Sequence, residues 1–156
     1  MKITTVQTNG KAVATAPYMH YMIKRYYRDM LPWADYSLQE IFDLIADLPF
    51  RPDPPTEEML MRPNYTMSMR GLGGDCDDKA IAIASWAYLR GTPYRFVAVR
   101  KNGRNTLHHV YTELYINGRW ITADCTYNIN TLGHQREHYI EHVILPEDPV
   151  PHERIH

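Results

Sequence analysis

Gly73-Gly74-Asp75-Cys76-Asp77-Asp78-Lys79-Ala80 runs straight into Ile81-Ala82-Ile83-Ala84-Ser85-Trp86-Ala87-Tyr88-Leu89, so a glycine-rich turn gives way to a segment that is apolar on nearly every face. That pattern predicts a buried central helix, with Asp75 as its N-cap and Gly91 and Pro93 as its stop signals. Cys76 stands at the helix start. Unpaired amide N–H groups and the positive end of the helix dipole gather there, and both favour a thiolate over a thiol and an oxyanion over a neutral carbonyl. Cys76 is therefore a candidate nucleophile; the plainer alternative is a small buried residue at a helix end.

Working outward, the 156 residues suffice for one ordinary domain, 1–156, and are too few for two. An apolar content of 44%, 22% charged residues and a net charge of −1 fit a soluble globular protein and supply no basic field for nucleic acid or an anionic membrane. The first ten residues contain no apolar run of signal-peptide length, and no run approaches the roughly 18 apolar residues of a membrane span, so the cytoplasm is the expected address. In that compartment Cys76 and Cys125 are expected as free thiols.

Residues 1–16 lack periodicity and read as an N-terminal arm or a weak edge strand. Over residues 18–30, Met19, Met22, Ile23, Tyr26, Tyr27 and Met30 recur at helical spacing until Pro32, a stripe expected to face the core or a partner. Ser37 and Glu40 form a capping box for an amphipathic helix carrying Ile41, Phe42, Leu44, Ile45 and Leu48, which ends before Pro49. Four prolines extend the chain over residues 49–55, a segment that reads either as one wall of a cleft beside the cysteine or as a rigid surface linker, and residues 56–60 are expected to begin a short helix stopped by Pro63. Residues 94–100 read as a strand and residues 101–104 as a turn.

Two strands, residues 109–116 and 119–126, flank Asn117-Gly118, the strongest short signal for a two-residue hairpin turn. The turn fixes the register: Ile116 opposes Arg119, Leu114 opposes Ile121, Thr112 opposes Ala123 and Tyr111 opposes Asp124. Because side chains alternate with period two, His109, Tyr111 and Asp124 share one face while His108, Val110, Ala123 and Cys125 take the other. His109 and Asp124 are then diagonal neighbours, about 7–8 Å apart at the backbone and within side-chain reach. With Cys76 they make a thiol, an imidazole base and an orienting carboxylate. Asp75 and Asp77 would repel a thiolate, so the helix end and His109 are expected to prevail only if both carboxylates point to solvent or pair elsewhere.

Three blocks, Gly-Asp-Cys-Asp-Asp-Lys-Ala at 74–80, His-Val-Tyr-Thr-Glu-Leu-Tyr-Ile-Asn-Gly-Arg-Trp at 109–120 and Ala-Asp-Cys-Thr at 123–126, together resemble the transglutaminase-like cysteine hydrolase superfamily, most of all its small bacterial and phage-encoded members. The resemblance spans residues 37–126. It implies an α+β, papain-like or transglutaminase-like core, a Cys76, His109 and Asp124 triad, no metal or other cofactor, and acyl chemistry on the amides of a peptide or protein substrate. It also implies the backbone N–H of Cys76 as an oxyanion donor. Cys125 departs from the pattern, where proline is common, and the register turns it away from Cys76.

Two other readings compete. His134, His138 and His142 recur every four residues in the C-terminal extension, residues 134–156, but on a helix the outer two would lie about 12 Å apart along the axis, too far to share one ion, which leaves a His138 and His142 pair. Residues 139–145 fit a strand equally well. The other reading is a catalytically silent interaction module that docks through the Tyr-rich helix at 18–30.

Overall fold

Helix α4, Cys76–Leu89, organises the molecule: every side chain from Asp77 to Ala87 is buried, as a helix apolar around its whole circumference requires. The structure is a computed structural model and describes residues 3–6, 12–55, 57–68, 73–136 and 138–145. On one side of α4 lies an antiparallel sheet of β3 (Tyr94–Lys101), β4 (His109–Ile116), β5 (Arg119–Ala123) and β6 (Tyr139–Leu145), in the order β5-β4-β3-β6. Helices α1 (Ala12–Tyr26) and α2 (Leu38–Asp47), with a 3-10 segment at Tyr27–Trp33, pack against its remaining surface. The expected architecture, helices against an antiparallel sheet with Cys76 opening the central helix, is what forms.

Local signals explain most of these elements. Ser37 caps α2 with a full capping box: its Oγ accepts from the Glu40 N–H at 3.1 Å, and its own N–H donates to Glu40 Oε1 at 2.9 Å. Asn117 (φ 54°) and Gly118 (φ 81°) make the hairpin turn, and β4 pairs with β5 in the expected register, Ile116 opposite Arg119, Leu114 opposite Ile121 and Thr112 opposite Ala123. Met19, Met22, Ile23 and Met30 are wholly buried, so this side of the stripe at 18–30 faces the core.

Three expectations are corrected. Within residues 1–16, Ile3–Val6 forms β1, paired with β2 (Glu58–Met61), in keeping with the edge-strand reading, but α1 already starts at Ala12; the helix opens on alanines, which favour a helix without marking a face. The helical pattern tightens into the 3-10 segment after Tyr26, and Pro32 lies inside it. Residues 57–60 lead into a strand and not a helix; Pro63 starts the short helix α3 (Pro63–Thr66), because proline at the first helical position gives up only an N–H that has no partner there. Thr56 lies outside the described residues.

The approach to α4 is fastened to the proline-rich segment. The Gly74 N–H donates to the Pro49 carbonyl at 3.1 Å and the Arg51 N–H to the Gly74 carbonyl at 3.0 Å, with Phe50 bridged to Gly74 between them. Gly73 has φ +64°, and a Cβ there would overlap the Pro49 carbonyl oxygen. Gly103 (φ +89°) shares the positive φ but has open surroundings, so Gly103→Ala is expected to cost the backbone strain alone, about 1–3 kcal/mol, and Gly73→Ala more, because the Pro49 carbonyl must also move; urea unfolding of the two variants checks the difference.

Candidate active site

Cys76 is the first residue of α4, half-buried, and the cap beneath it is built from carboxylates. Asp75 Oδ1 accepts from the N–H groups of Asp77 (3.1 Å) and Asp78 (3.3 Å), and the Asp75 N–H donates to Asp78 Oδ2 at 3.2 Å. This box uses the amides of residues 75, 77 and 78 and not that of Cys76. Asp78 Oδ1 accepts from the Met61 N–H and Asp53 Oδ2 from the Met59 N–H, each at 2.9 Å, so strand β2 is fastened to the helix start. Asp53, Asp75 and Asp78 each bring a carboxylate oxygen within 4.8 Å of the others, the donor set among the described residues with the spacing a cation would need. Because Asp53 lies far off in sequence, no motif announced the grouping.

His109, the first residue of β4, is buried and joined through Nε2 to Asp124 Oδ2 at 2.8 Å. Its ring stacks on Tyr139 at 5.9 Å and 20° and leans on Tyr111 at 6.1 Å. The other Asp124 oxygen accepts from the Thr126 N–H at 3.2 Å, and Asn130 Nδ2 donates to the Asp124 carbonyl at 3.1 Å. Burial pushes the Asp124 carboxyl up, but the hydrogen bond and charge of His109 together with Thr126 outweigh it and hold the group below its ordinary value. With Nε2 engaged, Nδ1 is the nitrogen left to exchange a proton.

The sheet face covered by α4 is that of Phe96, Ala98, Val110 and Leu114, with Thr112 Oγ1 donating to the Ala80 carbonyl at 2.9 Å. His109 and Tyr111 stand opposite Val99 and Val97 on the reverse face. Of the three sequence-predicted residues, His109, which opens β4, and Asp124, which follows β5, are hydrogen-bonded to each other, whereas Cys76 opens α4 and packs with the core on the sheet's other face. The backbone of Val110, next to His109, is directed at the sulfur. The side-chain partner of the thiol is Asp77 Oδ1 at 3.9 Å, and among the described residues it makes no hydrogen bond to the imidazole. Burial pushes the Cys76 thiol up, the charges of Asp75, Asp124 and Asp78 add to this, and the Val110 backbone opposes it.

The condition on the flanking carboxylates holds for Asp75 and fails for Asp77, which lies against the Cys76 sulfur. Asp75 pairs with the helix amides, but neither it nor Asp77 points to solvent. Burial and the charge of Asp53 push Asp77 up to about 7, with His109 pulling the other way, and burial with Asp53 likewise raises Asp75. A protonated carboxyl repels a thiolate less, so burial weakens the repulsion that exposure was expected to remove. Cys125 is buried and turned to the α4 side, its Sγ 3.6 Å from the Lys79 carbonyl. His134 precedes β6 in a loop, His138 stands beside its start and His142 lies within it, so the four-residue spacing builds no helix; Glu137 lies outside the described residues.

Sequence reasoning missed Lys79, Phe50 and Tyr127. Lys79 is buried with its ammonium donating to the carbonyls of Leu48 (2.6 Å), Thr126 (2.9 Å) and Ala46 (3.4 Å). A lone cation within the buried central helix was the signal for it. Phe50 and Tyr127, on the segments that Lys79 joins, lie ring against ring at a tilt, 5.3 Å apart; neither belongs to a motif.

Residues 31–125 match the family model described as the transglutaminase-like superfamily, well over half the chain. The chain belongs to the transglutaminase-like superfamily. Membership supports cysteine-based catalysis as the general class of chemistry. No curated protein sequence matches the chain. A crystal structure from Cytophaga hutchinsonii, described as a "Putative Cysteine Protease", is similar at 16% identity and a TM-score of 0.47, covering 82% of this chain and 43% of its own. This member of the superfamily thus spans less than half the length of that protein. Among the described residues no helix is long and apolar enough to cross a membrane.

A carboxyl raised by folding contributes stability that is present at acidic pH and lost as pH rises through its folded value. Asp77, moved from 3.8 to about 7, therefore predicts falling stability between about pH 4 and about pH 7. Chemical denaturation across this window is expected to show the decline in the wild type and a flatter profile in Asp77→Asn.

Proposed function

We propose that the protein is a cysteine peptidase, amidase or protein-glutamine acyltransferase in which Cys76 is the nucleophile, His109 the general base and acid, and Asp124 the group that orients His109. The observation that carries this reading is the buried His109 Nε2 to Asp124 Oδ2 hydrogen bond at the β4 end beside the start of α4. Asp124 fixes the tautomer with the proton on Nε2, so His109 Nδ1 takes the thiol proton as the ring approaches the sulfur. Such contacts are often longer in a ligand-free enzyme than with substrate bound.

The sulfur attacks an amide carbonyl carbon, a C–S bond forms, and the developing oxyanion is met by the Cys76 N–H that the capping box leaves unused. Protonated His109 gives its proton to the departing amine nitrogen as the C–N bond breaks, leaving a thioester. Water, or a primary amine, then attacks that thioester with its proton passing to His109, and the sulfur leaves. The substrate is a peptide or protein.

The alternative is a catalytically silent module, favoured by the upward push on the Cys76 thiol from burial and Asp75. Turnover of a glutamine-containing peptide, with and without a primary amine, separates the readings. Release of ammonia or a cleaved peptide is expected, falling at least about 100-fold in Cys76→Ala, His109→Ala and Asp124→Ala. Unchanged turnover in His109→Ala, or none in the wild type with any acyl substrate, contradicts the proposal. Incorporation of the amine assigns the transferase; its absence alongside turnover assigns the hydrolase.

A further inference from the structure

Phe50 and Tyr127 are large aromatics left 43% and 39% exposed, yet they lie against each other at a tilt, with ring centroids 5.3 Å apart and 31° between planes. Each rises from backbone that is fastened down. Phe50 is bridged to Gly74, two residues before Cys76, and flanked by the hydrogen bonds from Gly74 to Pro49 and from Arg51 to Gly74. Tyr127 follows Thr126, whose N–H is held by Asp124 and whose carbonyl is held by Lys79. The same Lys79 ammonium holds the Leu48 carbonyl two residues before Phe50, so one buried cation sets the spacing of both rings.

The pair also lies beside the nucleophile. Phe50 is bridged to Gly74, two residues before Cys76, and the Tyr127 ring lies against Phe50. Fixed aromatic faces open to solvent offer apolar contact area without an ordering cost at the moment of binding. Exposed apolar side chains are ordinary when scattered, but two that lie against each other, on rigid backbone, next to a candidate nucleophile, make a recognition surface.

We propose that Phe50 and Tyr127 form an aromatic wall beside Cys76 that receives a large apolar side chain of the acyl substrate, next to the carbonyl under attack. This specificity rests on the reading of Cys76 as the nucleophile. A polar or absent side chain leaves the two rings in water and gains nothing from them; a leucine or phenylalanine side chain covers them. The wall therefore selects acyl substrates by side-chain size and apolarity and not by charge.

Alkylation of Cys76 by N-acetyl-leucine and N-acetyl-glycine chloromethyl ketones, followed by mass spectrometry of the Cys76 peptide, tests this. The sulfur displaces chloride from each probe, and every rate is divided by the same protein's iodoacetamide rate, so that any change in thiol reactivity cancels. The wild type is expected to prefer the leucine probe by about tenfold. Phe50→Ala and Tyr127→Ala should each bring that ratio toward one, while Tyr127→Phe, which keeps the ring, should preserve it. A wild-type ratio near one, or a ratio unmoved in both alanine variants, overturns the wall. An iodoacetamide rate at Cys76 that is the same in wild type and His109→Ala overturns the nucleophile reading itself, and the wall with it.

Discussion

The Lys79 ammonium is the constraint on which the arrangement depends. An ion taken out of water costs several kcal/mol unless its hydrogen-bonding capacity is met, and an ammonium has three donors. Three carbonyls answer them: Ala46 and Leu48 at the end of α2 and Thr126 after β5. The first two belong to the negative end of a helix, where a cation is favoured. Burial lowers the Lys79 pKa, and the charges of Cys125, Asp47 and Asp124 work to keep the proton on. The result is a tie from the middle of the first turns of α4 to both segments that border Cys76, the proline-rich approach and the chain leaving Asp124. Replacing a buried cation of this kind by an apolar residue strands its carbonyls as well as removing charge.

Around this tie the site is an electrostatic balance in little water. Asp124 is held low by His109, whereas Asp75, Asp77 and Asp78 are raised by burial and by each other or Asp53. The charges of Asp75, Asp124 and Asp78 add to burial in pushing the Cys76 thiol up. On the proposed reading, the ring of His109 is what offsets that push. The Val110 backbone, one residue along from that ring, already favours the anionic sulfur.

What was legible in the sequence was local. The Asn117-Gly118 turn dictates its own register, and the register alone distinguishes His109 from His108: the Asp124 bond falls on His109, while His108 lies beside Tyr139 with its Nδ1 buried and unpartnered among the described residues. The caps at Ser37 and Asp75 are equally local. What was not legible depends on contacts across the chain. Periodicity says that Val110 and His109 face opposite ways but not which way α4 lies, and Asp53 joins the helix cap only because β2 runs past it. Pro63 misled because proline ends one helix and begins another with the same fixed φ.

On the proposed reading, His109, steered by Asp124, overcomes the burial and the acidic neighbours that otherwise keep Cys76 a thiol. Ultraviolet absorbance of the thiolate, titrated against pH and corrected with Cys76→Ala for Cys125, measures this directly. The account predicts a thiolate at Cys76 forming below the ordinary thiol value of about 8.5, with His109→Ala moving it above that value. A Cys76 that stays protonated past about 8.5 in the wild type, and that is indifferent to the loss of His109, contradicts it.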